Sequence, residues 1–517
     1  MDARRAWEAL TASGLVAVGF VDAAGAPCTF EGFLAAMPWD GPFAELTYDS
    51  RAAVPGTLFV CKGAAFKAAY LTQAAASGAI AYVAQRPYAN PNIPGIVVSD
   101  IRQAMAVLAR EFFGDPSRHL AVVATTGTKG KTTVTFYLDA ILKARHAAPS
   151  AMLTGVVVDD GQTRAVSHNT TPEAIELQRH LAHAVDAGCD TVVMEASSQG
   201  FKYDRTLGTH FAVGLFTNIG EDHVSPVEHP TFEDYFSSKL RIFSQCACAV
   251  VNLDSDRADE VLAAAAQASR CLTYSMEPTS MASVRLMSCA HGGEGTWDLR
   301  VATPRGPLDV ALSALGRFNV SNALAAIAAA EALDVSHEAI QSGLAHVHVP
   351  GRMERYDAPD GSVVGVVDYA HNEMSMEALL RCAREEFPAR QITVVFGATG
   401  DRGTHRRAGL GRAAGALADR IILTEDDPGP VPVAQIAAEI GAAIVAAGGS
   451  YEVIENRACA VHEAVAGARR PAVVLLAGKG AEDVIRRACG TVPCKPDAQL
   501  FCEEVGVPFG GYAELER

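Results

Sequence analysis

The 517-residue sequence predicts an α/β protein built on parallel sheets. Two observations carry that prediction. Short apolar runs ending in polar, glycine-containing turns alternate with helical patterns along most of the chain, as strand–loop–helix units do. One of these turns, Thr126-Gly-Thr-Lys-Gly-Lys-Thr-Thr133, follows the apolar run Leu120 to Ala124 and precedes a helical pattern from Val134 to Ala144. That is the layout of a loop that cradles phosphates with backbone N–H groups and a helix N-terminus. In such a loop Lys131 pairs with the β- and γ-phosphates and the Thr132 hydroxyl can ligate Mg²⁺. The spacing is shorter than the general G-x-x-x-x-G-K-[ST]: Thr125 stands where the first glycine would be, leaving G-x-x-G-K-T.

Length and composition bound the rest. A chain of this size suits two to four domains, and 49% apolar with 20% charged residues is ordinary for a globular protein. The net charge of -16 argues against a general nucleic-acid binder but leaves room for a local basic pocket. Met1 to Leu10 has no apolar core of signal-peptide type, and no apolar run is long enough to span a bilayer. The 12 cysteines are scattered without a C-x-x-C, so they read as small apolar fillers of a reduced, cytoplasmic chain.

Taken in order, residues 1–118 form a small α/β domain. Thr57–Cys61, Ala79–Ala84 and Gly95–Ser99 read as strands, and Ala68–Ser77 and Ile101–Phe113 as helices. Tyr48-Asp-Ser-Arg51 reads as a loop with a capping serine, and Gly114-Asp-Pro-Ser117 marks the boundary. In the central segment, 119–348, the strand Thr191–Ser198 carries Glu195 at its end. A carboxylate there suits a magnesium ligand or a loop cap equally well. The strand Phe211–Phe216 runs into Thr217–His223. His223 could ligate a metal or hold a phosphate, although a lone histidine is more often structural. Phe232–Phe243 reads as a helix whose Lys239 is, by composition, a solvated or snorkelling lysine. Ala249–Asp254 is another strand, and Cys271–Val310 alternates as strands do. Gly316-Arg-Phe-Asn319 opens an alanine-rich helix to Leu333, with Asn319 or Ser321 as its cap.

The last segment, 349–517, repeats one unit. Val363–Val367 leads into Asp368–Asn372, Gln391–Phe396 into Gly397–Gly403, Arg420–Thr424 into Glu425–Gly429, and Ala472–Ala477 into Gly478–Glu482. This is a doubly wound sheet, with ligand groups expected at the carboxyl ends of its strands. The turn after Phe396 does not match G-x-G-x-x-G, so no dinucleotide site is expected there.

In this order the motifs Asp49-Ser-Arg51, Thr126–Thr133, Thr170-Thr-Pro-Glu173, Glu195-Ala-Ser-Ser-Gln199, Asp222-His223, Phe232–Phe243, Gly316-Arg-Phe-Asn319, Pro350-Gly-Arg352, Asp368-Tyr-Ala-His371, Asp426-Asp-Pro428 and Gly478-Lys-Gly480 resemble the Mur ligases of peptidoglycan precursor synthesis. The likeness is strongest to those that extend UDP-MurNAc-L-Ala-D-Glu by one diamino acid. The resemblance implies three domains: a UDP-binding one (1–118), a central P-loop ATPase (119–348) and a Rossmann-like one that brings in the amino acid (349–517). It implies that Ser50 contacts the UDP part, and that Thr170, Thr171, Ser197 and Arg205 hold the muramoyl-dipeptide. Gly127, Thr128, Lys129, Gly130, Lys131, Thr132 and Thr133 would cradle ATP. Thr132 and Glu195 would share one Mg²⁺, and His223 would serve a second metal site. Asn319, Arg352 and Asp368 would hold the nucleotide from the far side, and His371 would lie in the cleft. Asp426, Asp427, Pro428 and Gly429, with Gly478 and Glu482, would take the amino acid. Lys239 matches the lysine carried as a carbamate, which can ligate Mg²⁺ where an ammonium cannot.

The implied reaction is ATP-dependent amide formation through an acyl phosphate, with Lys131 and two Mg²⁺ neutralising charge. The implied partners are UDP-MurNAc-L-Ala-D-Glu, ATP and a diamino acid, without nucleic acid or membrane, for a monomeric enzyme. In the diaminopimelate-adding branch the recognition pattern is Asp-Asn-Pro-Arg, whose arginine pairs with the distal carboxylate. Here Gly429 replaces that arginine and Asp427 the asparagine, so an ammonium would meet two carboxylates. L-lysine is therefore expected, with diaminopimelate and ornithine as alternatives; the lysine-adding branch usually has asparagine at position 429. Gly63-Ala-Ala-Phe-Lys67 and Lys129 also look like the lysine-adding branch. Asp-Asp-Pro-Gly also suits a turn with Pro428 and Gly429 central, and Arg402, Arg406 or Arg407 could reach a distal carboxylate. A folylpolyglutamate- or cyanophycin-type ligase would share the phosphate loop and Asp368–His371 but should lack Asp49–Arg51 and Thr170–Pro172. A non-catalytic homologue would be expected to lose Lys131, Glu195, His223 or Lys239, and all four are present.

Overall fold

The computed structural model describes residues 1–39, 41–63, 65–88, 90, 92–145, 147–167, 169–220, 228–293 and 295–512. They group into two compact units. The first comprises residues 1–131, 145–274 and 328–334, the second residues 132–144, 275–327 and 335–517. No helix among the described residues is long and apolar enough to cross a membrane.

The first unit holds two sheets. One has Glu45–Thr47, Thr57–Val60, Ala79–Ala84 and Gly95–Val98 in parallel, followed by Val16–Val21 and Pro27–Cys28 as antiparallel edge strands. The other is parallel from Ser150–Leu153 through Thr191–Glu195, Ala121–Thr126, Phe211–Phe216 and Cys246–Asn252 to Arg270–Ser275. The short strands Val157–Asp159 and Arg164–Val166 extend it antiparallel at one edge. A parallel strand covered on both faces reads as an unbroken apolar run, and Val122, Val123 and Ala124 are fully buried. The phosphate loop leaves the central strand Ala121–Thr126, with Gly127 at φ +149° and Gly130 at φ +84°. Its helix, Lys131–Lys143, starts three residues before the predicted Val134, because the first turn is polar and carries no apolar period.

In the second unit the strands Val284–Gly293, Thr296–Thr303 and Gly306–Ser313 form an antiparallel meander. A further sheet runs Val363–Asp368, Ala472–Ala477, Gln391–Phe396, Arg420–Leu423 and Glu452–Val453 in parallel, with Glu354–Asp357 antiparallel at its edge. The order inserts the last long strand between the first two. Four loops, 368–372, 397–403, 424–429 and 478–482, therefore leave the carboxyl edge of one sheet, where ligands of such sheets bind. The predicted doubly wound arrangement is present.

Two local expectations are corrected. Asn319 and Ser321 do not cap the alanine-rich helix, which spans Phe318–Ala332 and already contains them. Gly316, at φ +84°, turns the chain early enough for Phe318 to be helical. Asn319 Nδ2 instead donates to the Leu315 carbonyl at 2.8 Å, and its Oδ1 accepts from Asn322 at 2.9 Å. The turn of the acidic loop is also shifted. Val431 N–H donates to the Pro428 carbonyl at 3.1 Å, so Gly429 and Pro430 are central rather than Pro428 and Gly429. The expected turn would have to close on the N–H of residue 430, and a proline has none.

Candidate active site

The phosphate loop is bolted to the segment that follows the neighbouring strand Phe211–Phe216. Lys129 N–H donates to Asn218 Oδ1 at 2.8 Å, and the Lys129 carbonyl accepts from Thr217 Oγ1 at 2.7 Å and Asn218 Nδ2 at 3.1 Å. The Thr128 hydroxyl lies 3.1 Å from the Tyr235 hydroxyl. Glycine is obligatory at 127, since a Cβ there would sit 1.9 Å from Thr217 Oγ1. Two ammonium groups converge on one carbonyl of this loop: Lys131 Nζ donates to Gly127 O at 2.9 Å, and Lys239 Nζ donates to the same oxygen at 2.8 Å.

Lys239 is no surface lysine. It sits on the helix Phe232–Leu240, which Thr231 caps, is 1% exposed, and lies 4.6 Å from the centre of the Tyr235 ring. The predicted helix to Phe243 ends at Leu240 and continues as a 3₁₀ turn. Glu195 ends its strand in register with Thr125, is buried, and accepts from Gly155 N–H at 2.9 Å. His223 lies outside the described residues. A different histidine, His229, is buried beside this region: its Nε2 is 3.0 Å from Ser198 Oγ and its Nδ1 2.7 Å from Asp234. Burial lowers its pKa despite that carboxylate.

Thr171, Ser197 and Arg205 form one chain. Thr171 Oγ1 donates to the Glu195 carbonyl at 3.1 Å and accepts from Ser197 N–H at 2.9 Å, while Arg205 donates to the Thr171 carbonyl at 3.0 Å. Arg205 also pairs with Glu173 at 2.9 Å, and the other Glu173 oxygen pairs with Lys62 at 2.7 Å. Lys62 lies 4.2 Å from the Tyr48 ring centre, and burial lowers its pKa. Sequence reasoning missed Lys62, whose only signal was a charged residue just past the strand Thr57–Val60. The neighbouring Thr170 hydroxyl faces Gly155, where a Cβ would lie 3.3 Å away. Ser50 is buried and donates to Gln73 at 2.9 Å, while Asp49 holds Arg51.

In the second unit, Thr132 and Thr133 occupy the first turn of the helix Lys131–Lys143. Asp368 accepts from Met353 N–H at 2.9 Å; the Arg352 guanidinium stacks 4.8 Å above the Tyr369 ring; His371 Nδ1 lies 2.8 Å from the Tyr369 carbonyl. The Asp426 loop forms a separate cluster. Its two aspartates do not await a substrate cation unpaired: Lys479 Nζ lies 3.1 Å from Asp427 Oδ1 and 3.9 Å from Asp426, and also binds Glu482. Counting charges in the loop alone omitted this lysine, which sits between the quoted Gly478 and Gly480. Buried carboxylates need a counter-ion, and Lys479 is 1% exposed. Three carboxylates thus gather around this one ammonium. Burial pushes the Asp426 carboxyl up to about 6, even with Lys479 and Arg457 nearby. The same carboxylates hold the Lys479 ammonium above its ordinary value against the opposing effect of burial. Gly478, at φ +103°, gives Asp426 room, since a Cβ there would lie 2.7 Å from Asp426 Oδ2. Arg407 is not available for a distal carboxylate: it is buried and committed to the Thr399 and Gly400 carbonyls and to Glu439.

A family model described as the Mur ligase middle domain matches residues 125–330, and one described as Mur ligase, glutamate ligase domain matches residues 351–480. The UDP-N-acetylmuramoyl-L-alanyl-D-glutamate--L-lysine ligase of Enterococcus faecalis is 38% identical over 444 residues, covering 84% of this chain and 86% of that one. The UDP-N-acetylmuramyl-tripeptide synthetase of Limosilactobacillus reuteri is 35% identical over 496 residues, covering 92% and 94%. Among solved structures, a UDP-N-acetylmuramoyl-L-alanyl-D-glutamate--2,6-diaminopimelate ligase superposes with a TM-score of 0.63 at 26% identity, covering 92% of this chain and 98% of the other. A folylpolyglutamate synthase of Mycobacterium tuberculosis complexed with ADP matches with a TM-score of 0.59 at 21% identity over 73% of this chain and 92% of its own, and shows the fold alone. With the phosphate loop on its parallel sheet, these matches make the chain an ATP-dependent acid–amino-acid ligase. The chain belongs to the Mur ligase family.

Proposed function

We propose that this ligase adds L-lysine to UDP-MurNAc-L-Ala-D-Glu in cytoplasmic peptidoglycan precursor synthesis, acting as a monomer. The observation that carries the choice of lysine is the acidic cluster of Asp426, Asp427 and Glu482, with no side chain at Gly429 to meet a distal carboxylate. The lysine ligase named among the relatives supports the same reading. Residues 1–118 bind the UDP part through Ser50, and residues 119–348 bind ATP on Gly127–Thr133. Residues 349–517 bring in the amino acid at Asp426–Gly429, Gly478 and Glu482. Asn319, Arg352 and Asp368 bind the nucleotide, and His371 binds the substrate. Thr170, Thr171, Ser197 and Arg205 hold the muramoyl-dipeptide.

The donors fit magnesium. Glu195 and the Thr132 hydroxyl offer hard oxygens of the type Mg²⁺ takes, and the loop cradle at Gly127 has room only for backbone. By its resemblance to the family's carbamylated lysine, Lys239 would join this set as a carbamate, which can ligate the ion where an ammonium cannot, and His223 would serve the second metal. When bound, Mg²⁺ supplies charge neutralisation at the phosphates. The D-Glu side-chain carboxylate attacks the γ-phosphorus; the bond to the β-phosphate oxygen breaks, leaving ADP and an acyl phosphate. The lysine amine, having lost its proton, then attacks the acyl carbon, and inorganic phosphate departs. Lys131 holds the phosphates through this transfer, which asks chiefly for positioning.

Phosphate release from ATP with UDP-MurNAc-L-Ala-D-Glu, measured separately with L-lysine, meso-diaminopimelate and L-ornithine and with product mass determined, tests the assignment. Turnover is expected with lysine well above the other two. Preference for diaminopimelate would sink the lysine reading and leave the ligase intact.

The Asp426 shift gives a pH dependence. If Asp426 receives the substrate ammonium, it must be ionised, and its pKa of about 6 places the loss on the acid side. KM for lysine should rise about tenfold between pH 7 and pH 5, one unit below that pKa being about a tenfold loss of the ionised form. Asp426→Asn should flatten that rise while starting from a higher KM. A wild-type KM independent of pH over this range would remove Asp426 from amine recognition.

A further inference from the structure

Position 429 has no side chain, but the space it faces is charged. A Cβ on Gly429 would lie 3.8 Å from Arg486 Nη2 and 3.8 Å from Asp401 Oδ1. Arg486 comes from outside the loop, on the strand Val484–Arg487 of a two-stranded hairpin with Gly490–Pro493. Its backbone grips the loop twice: Arg486 N–H donates to Asp427 Oδ1 at 3.0 Å, and Gly429 N–H donates to the Arg486 carbonyl at 2.8 Å. The hairpin thus delivers a guanidinium to the place a side chain at 429 would point. That guanidinium is occupied. Nη1 donates to Asp401 Oδ1 at 3.0 Å and Nη2 to Asp401 Oδ2 at 2.5 Å, the two-pronged geometry of a strong arginine–carboxylate pair. The hydrogen bonds from Arg486 hold the Asp401 carboxyl below the usual carboxylate range.

We propose that the Arg486–Asp401 pair is a specificity device of the amino-acid site: Arg486 is a ready receptor for a distal carboxylate, and Asp401 fills it, so that a side chain ending in an ammonium is accepted and a dicarboxylic diamino acid is not. This rests on the amino-acid site proposed above. A distal carboxylate arriving beside Gly429 would have to displace Asp401 from its two hydrogen bonds, and would then lie beside the displaced Asp401 and near Asp427. Discrimination by placing a like charge against the wrong ligand needs no further contact with the right one. Arg402 is another guanidinium nearby, 4.0 Å from both Asp401 and Asp427 and beyond hydrogen-bond distance, with its side chain 66% exposed. Asp401 and Arg486 are each 36% exposed, and a pair so exposed adds little to stability, so either can be replaced without endangering the fold.

The test compares kcat/KM for meso-diaminopimelate and for L-lysine in the wild-type chain, Asp401→Asn, and the double variant Asp401→Asn with Arg486→Gln, with Asp401→Ser as a second replacement should the asparagine variant not fold. Freeing Arg486 should raise the diaminopimelate-to-lysine ratio by about tenfold or more, the scale of one charge-assisted hydrogen bond gained by the distal carboxylate, and the double variant should return it to the wild-type value. An unchanged ratio in Asp401→Asn, with lysine turnover retained, would overturn the inference alone. A raised ratio that survives loss of Arg486 would assign the effect to Arg402 and overturn it too. Absence of wild-type turnover with either amine would overturn the substrate assignment, and this inference with it.

Discussion

Replacing Lys239 with arginine should lower kcat by about 10²–10³-fold, the scale of removing one preorganised charge from a reaction centre, and replacing it with alanine should lower it no further. The wild-type Nζ is buried and donates to the Gly127 carbonyl at 2.8 Å. An arginine keeps the positive charge and can still donate to that carbonyl, so a role as a cation would survive in part. A role as a carbamate would not, because the guanidinium does not form one. Steady-state kinetics at saturating ATP decide between these, and a second reading comes from the wild-type chain: stripping dissolved CO₂ should depress its activity and bicarbonate should restore it, with the intact mass following by one CO₂. Retention of more than about a tenth of kcat in Lys239→Arg would show that a cation suffices there and remove the carbamate, a loss far smaller than a missing charge partner should give.

Lys479→Met should destabilise the fold by about 3 kcal/mol, the cost of leaving buried charges without their partner. Lys479 is the ammonium shared by Asp426, Asp427 and Glu482. Its folded-state pKa lies above the ordinary lysine value, so its contribution is fully present below that ordinary value and is lost only as pH rises through the folded one. On the acid side the partners set the limit: Asp426 begins to take up its proton near pH 6, so the penalty of the methionine should shrink below that pH. Thermal unfolding of wild type and variant between pH 5 and pH 9 would therefore show a gap that widens with pH. A gap constant across that range would mean that Lys479 contributes packing rather than charge.

Much of this site could be read along the chain. The strands Ala79–Ala84, Gln391–Phe396 and Ala472–Ala477 and the phosphate loop follow from apolar runs and glycine turns, because those signals are local. So is the opening of position 429, visible as a glycine. The errors are also local in origin. A cap at Asn319 is precluded by how early Gly316 turns the chain, and a turn centred on Pro428 and Gly429 by Pro430, which has no N–H to donate. Composition alone reads Lys239 as a surface lysine, whereas the fold buries it.

Partners distant in sequence needed three dimensions. Lys62 reaches Glu173 across more than a hundred residues, and Arg486 reaches Asp401 across 85. No periodicity links such positions, because a sheet brings strand ends together in an order unrelated to their order along the chain. Local chemistry therefore names the phosphate loop, the strand-end carboxylates and the acidic turn. Packing alone assigns each charge its partner: the Gly127 carbonyl for two lysines, the acidic turn for Lys479, and Asp401 for the guanidinium that lies where a side chain at 429 would point. A charge costs too much to bury unpaired, so its partner is set by whichever opposite charge the fold carries to it.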